Sequence, residues 1–61
     1  MSFKTQRLKA GMSVMDVAKH LNVSTPAIYY WENGDTLPRT EMLVRIAALY
    51  GCTTDELLKK E

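Results

Sequence analysis

Apolar positions along this chain recur at intervals of three and four residues, and the recurring stretches are broken by Gly, Asn and Pro. That spacing predicts helices rather than strands, because it puts one side chain per turn on a common face. Phe3 to Ala10 reads as a first helix, with Phe3, Gln6/Arg7 and Ala10 on one stripe, Leu8 beside it, and Gly11 closing it. Ser13 is a strong N-cap for a second helix, and Asp16 three residues on complements its exposed amides. Val14, Val17, Ala18 and Leu21 then follow at helical spacing, and Asn22 tolerates the left-handed backbone of a tight exit. Ser24 caps a third helix beginning at Thr25. Pro26 suits its first turn, Ile28 and Trp31 mark its buried side, and Asn33-Gly34 stops it. Residues 34–38 form a loop in which Leu37 is expected to tuck inward. A fourth helix runs from Arg39 or Thr40 to Tyr50 on a stripe of Leu43, Ile46, Ala47 and Tyr50, closed by Gly51. Thr53-Thr54-Asp55-Glu56 is a capping box opening a short fifth helix with Leu57 and Leu58. No strand pattern, repeat, low-complexity tract or linker interrupts this order. The expectation is an all-α fold of five helices in a single domain, residues 1–61.

The third helix carries the most information. With Ile28 and Trp31 inward, Thr25, Pro26, Tyr29, Tyr30 and Asn33 face outward, almost without charge. Only Asn22 and Val23 separate this helix from the second, and Ala18 is small enough for close approach. Two helices joined so tightly cross steeply and leave the second one protruding, at a width that fits a DNA major groove about 12 Å wide. Two other uses of the tyrosines stay open: packing against residues 35–38, or a face for a protein partner.

Composition narrows the function classes. The 61 residues are 46% hydrophobic, enough for one modest core and little room for a deep cleft. The net charge is only +1, yet residues 1–31 carry +3 and residues 32–61 carry −2, so a polyanion meets the first half more favourably. The single cysteine, Cys52, cannot form an internal disulfide and reads as a small core residue. The polar start lacks a secretory signal, and no apolar run approaches the ~20 residues of a membrane span, so the expected location is the cytoplasm. His20 is read as solvated surface. Met12, Met15 and Met42 are read as core fillers or as a sticky partner surface. Nothing matches a catalytic triad, a carboxylate dyad, a phosphate loop or a metal-ligand cluster. No enzyme, metal or cofactor is expected.

The run Ser13-Val14-Met15-Asp16-Val17-Ala18-Lys19-His20-Leu21-Asn22-Val23-Ser24, continued by Ile28-Tyr29-Tyr30-Trp31-Glu32-Asn33-Gly34, resembles the helix-turn-helix of phage repressor and Cro proteins, the Xre-type regulators. The likeness continues through Pro38, Leu43, Ala47, Gly51 and Thr53 to Leu58, with its helix-turn-helix core at about 14–33. It implies the repressor-like five-helix fold and a sequence-specific transcription regulator that sets its third helix in the major groove of an operator. By position it implies base contacts from Thr25, Pro26 and Tyr30, with Tyr29 more peripheral. Ser24 would cap the recognition helix and touch the backbone. Other backbone contacts would come from Ser13 and Val14 on one side and from Asn33, Arg39 and Thr40 on the other. Arg7 and Glu32 match an ion pair that bridges the first and third helices. With no Arg, Asn or Gln on the reading turns, recognition would rest on a hydroxyl, thymine-methyl contacts and DNA shape.

Three departures from the family pattern bear on affinity. Val14 stands where glutamine is usual, Asp35 and Leu37 replace lysines of the following loop, and Asn22 replaces a glycine. Weak monomer binding with a shallow salt dependence follows from the few phosphates neutralised. The implied partner is a double-stranded, palindromic DNA operator with half-sites about one helical turn apart, bound by a homodimer at least on DNA. Such a dimer would use the fourth and fifth helices and the Lys59-Lys60-Glu61 tail. Two alternatives stand beside this reading: an interaction module, such as an anti-repressor, that binds another regulator through the tyrosine face, and a domain cut from a longer repressor.

Overall fold

The computed structural model describes residues 2–59. Lys60 and Glu61, invoked above for self-association, lie outside the described residues. Five helices follow in order: α1 (Phe3–Lys9), α2 (Val14–Leu21), α3 (Thr25–Asn33), α4 (Thr40–Tyr50) and α5 (Thr54–Leu58). The described residues contain no strand, so the fold is all-α.

Three of the five helices begin on a side-chain cap. The Ser13 hydroxyl accepts from the Asp16 amide while the Asp16 carboxylate accepts from the Ser13 amide, a reciprocal box at 3.1 and 3.2 Å. Thr53 and Glu56 repeat the arrangement at α5. Ser24 Oγ accepts from the Ala27 amide at the start of α3, with Pro26 in the first turn. The exit from α2 turns on one residue: Asn22 is left-handed at φ 57°, and the next amide, of Val23, donates back to the Ala18 carbonyl. That turn satisfies a carbonyl at the helix end and redirects the chain within three residues into α3.

The core is one cluster. Phe3 of α1, Val17, Ala18 and Leu21 of α2, Ile28 of α3, Ile46, Ala47 and Tyr50 of α4, and Leu57 of α5 are all buried together. Burying each of the larger aliphatic side chains contributes about 1.5–3 kcal/mol. Trp31 packs on this cluster but stays partly accessible, so Ile28 is the deeper anchor of α3. Met12, Met42 and Cys52 also pack against the cluster, whereas Met15 is on the surface. The chain start is pinned to its last helix, since the buried Ser2 donates from its amide to the Leu57 carbonyl and from its hydroxyl to Glu56.

One expectation needs correction. Leu37 is 56% exposed, and Pro38 is the buried residue of that loop. Pro38 takes the inward position of this irregular loop, which leaves Leu37 at the surface. Leu58 likewise faces solvent although Leu57 is sealed, because consecutive residues on a one-turn helix cannot share a face.

Candidate nucleic-acid interface

Among the described residues, nothing covers the outer side of α3. Tyr29 and Tyr30 are each 52% exposed, Pro26 and Asn33 are exposed, and Thr25 is half-buried at the first turn. The tyrosines therefore do not fold back onto residues 35–38. Pro26 and Tyr30 lie one turn apart on one strip, and Thr25 and Tyr29 on the next, so the four side chains form a short continuous ridge.

One flank of the ridge is a groove of about 670 Å³ lined by Lys4, Ser13, Val14, Met15, Tyr29 and Asn33, with Arg7 and Glu32 at its floor. Here the structure brings together three expected backbone-contacting residues, Ser13, Val14 and Asn33, with one expected base-contacting residue, Tyr29. The N-terminus of α2 belongs to this flank, where a helix start favours an anion. Arg39 and Thr40 are exposed where the loop runs into α4, and Arg39 lines a separate groove with Trp31, Leu37 and Pro38. Ser24 is exposed, but its side-chain oxygen is engaged as the α3 cap. Among the described residues, no three His, Cys, Asp or Glu side chains come together in the manner of a metal site.

The floor of the groove is rigid. Arg7 Nε donates to Glu32 Oε2 at 2.6 Å and Nη2 to Oε1 at 3.2 Å, while Nη1 donates to the Met12 carbonyl at 3.0 Å. Both side chains are largely buried, and the Glu32 hydrogen bond holds the guanidinium pKa above its ordinary value against the opposing effect of burial. The expected ion pair is thus present, and it ties α1 to α3. Tyr50 lies close to the pair, and its burial, with the Glu32 carboxylate nearby, pushes the phenol up to about 12. Sequence reasoning missed Lys4 and Met15 as walls of this groove. Lys4 was within reach of a sequence argument, since it stands three residues before Arg7 on the same helix surface.

A helix-turn-helix family model matches residues 3–57, nearly the whole chain. The chain belongs to the helix-turn-helix family. Membership makes it a DNA-binding domain of the kind that transcription regulators carry, and α2 and α3 are its paired helices. It is also similar to an HTH-type transcriptional activator, BcrR of Enterococcus faecalis, with 38% identity over 60 residues. That alignment takes in 95% of this chain and 29% of the activator, so the chain spans less than a third of that relative's length. No solved structure matches. Among the described residues no helix of this helix-turn-helix chain is long and apolar enough to cross a membrane.

Proposed function

We propose that this helix-turn-helix domain is a sequence-specific transcription regulator that sets α3 into the major groove of a palindromic operator. The observation that carries the proposal is the uncovered ridge of Thr25, Pro26, Tyr29 and Tyr30, flanked by the start of α2. In this reading Thr25 offers a hydroxyl and a methyl, Pro26 contacts thymine methyls, and Tyr30 adds a ring and one hydroxyl to the base edges. Tyr29, which lines the flanking groove, reaches bases at the margin of the site. The Val14 amide and the Ser13 hydroxyl, with Asn33 and Ser24, hold one stretch of backbone, and Arg39 and Thr40 hold the other. Repression and activation alike would use the same step, occupancy of the operator.

The exposure of Met15 beside Tyr29 also suits a protein partner, the alternative in which the domain binds another regulator. Selection from random duplexes on the purified chain separates the two. The expected result is an enriched palindrome whose preference relaxes in Thr25→Ala and Tyr30→Ala, each losing about 1–3 kcal/mol at the base it reads. Failure to enrich any sequence at low salt, with both variants folded, overturns operator reading.

A further inference from the structure

We infer that α3 reads the C5 methyl group of pyrimidines, so that 5-methylcytosine serves this domain as thymine does and cytosine methylation strengthens its sites. That ligand class sharpens the operator reading above and rests on it.

A helix in the major groove tells bases apart by hydrogen-bond polarity or by the methyl that thymine carries. Polarity needs side chains whose donors and acceptors are fixed, such as Arg, Asn or Gln. The ridge has none. Its polar side-chain atoms are the hydroxyls of Thr25, Tyr29 and Tyr30, and none of the three makes a hydrogen bond among the described residues. The neighbouring Ser24 oxygen, by contrast, is tied to the Ala27 amide. A free hydroxyl turns to donate or to accept, so it meets the O4 acceptor of thymine and the N4 donor of cytosine equally well. Asn33, the outward-facing amide of α3, is its last residue and lines the groove beside Ser13. It stands ~12 Å along the axis from Thr25, beyond the ridge.

Discrimination therefore falls to the apolar atoms. Pro26 is exposed in the first turn of α3, Thr25 beside it carries a methyl, and the Tyr30 ring is 52% exposed. Pro26 and Tyr30 share one strip ~6 Å apart, close to two base-pair steps of ~3.4 Å, so each covers a different pair. Cytosine and uracil leave a void under such a group, whereas thymine and 5-methylcytosine fill it. In the major groove the latter two differ at position 4, where the hydroxyls are indifferent. Filling one methyl-sized void is worth about fourfold in affinity. Methylating a cytosine under the ridge thus strengthens a site without changing its sequence.

The test presents the purified chain with two pools of random duplexes, one made with cytosine and one with 5-methylcytosine. The second pool is expected to yield 5-methylcytosine at positions where the first yields thymine. Single exchanges in the enriched half-site then isolate the methyl. Uracil for thymine opposite adenine, and cytosine for 5-methylcytosine opposite guanine, each remove that group alone. Both exchanges are expected to weaken binding about fourfold at the same positions, read by fluorescence anisotropy. Pro26→Ala and Thr25→Ser each abolish the effect at one position, whereas Thr25→Val, which keeps the methyl and loses the hydroxyl, preserves it. Circular dichroism checks that each variant stays folded. An enriched sequence at which neither exchange matters, or a methyl effect unmoved in folded Pro26→Ala and Thr25→Ser, overturns methyl reading and leaves the operator reading standing. Enrichment in neither pool removes both.

Discussion

All three nitrogens of Arg7 donate inward, two to Glu32 and one to the Met12 carbonyl, so this cation is committed to joining α1 and α3. A buried pair of this geometry adds little over a well-packed apolar pair, but removing one member strands the other. Glu32→Ala is therefore expected to cost about 3–5 kcal/mol, a large share of a small domain's stability. The double replacement Arg7→Met with Glu32→Leu is expected to cost far less. Urea unfolding of the two variants beside the parent chain checks both numbers, and a mild Glu32→Ala would contradict the clamp.

Two of the short helices depend on their capped first turns. α5 has five residues and α2 eight, too few to stand without packing and caps. In both boxes the carboxylate accepts the N-cap amide, and that hydrogen bond is the leading reason the Asp16 and Glu56 pKa values are lowered. Carboxylates depressed in the folded chain contribute stability that is complete above their unfolded values and is lost as pH falls through the lower folded ones. The melting temperature is thus expected to be level near neutrality and to fall below about pH 4. Asp16→Asn and Glu56→Gln should each lower the plateau and flatten that acid slope. Thermal melts followed by circular dichroism across pH 2–7 read both effects, and an unchanged slope in the double variant would remove this account.

The assembled domain presents few cations to DNA. Arg7 is committed internally, which among the described residues leaves Lys4 as the cation in the groove beside the reading ridge, with Arg39 exposed at the entrance to α4. Each phosphate neutralised contributes about −0.9 to the slope of log affinity against log salt. One copy on a half-site is expected to show a slope near −2, and Arg39→Ala to reduce its magnitude by about 1 uniformly across sequences. Fluorescence anisotropy over a salt series measures it. A steep slope would mean that other basic residues approach the backbone and that the docking face is wrong.

Caps, helix order and the two-sidedness of α3 were legible in the residues alone, because each is a local matter. Ser13, Ser24 and Thr53 satisfy amides within three residues of themselves, and Ile28 fixes by periodicity which side of its helix is buried. The Arg7–Glu32 clamp was legible only through the family likeness, since nothing local links residues 25 apart. Packing alone decided that Pro38 rather than Leu37 turns inward, that Ser2 reaches α5, and that Lys4 and Met15 join Ser13, Tyr29 and Asn33 around one groove. A chain's periodicity states which face of an element is apolar. Which neighbour covers that face, and what stands along the rim left open, follows from how all five helices share a single core.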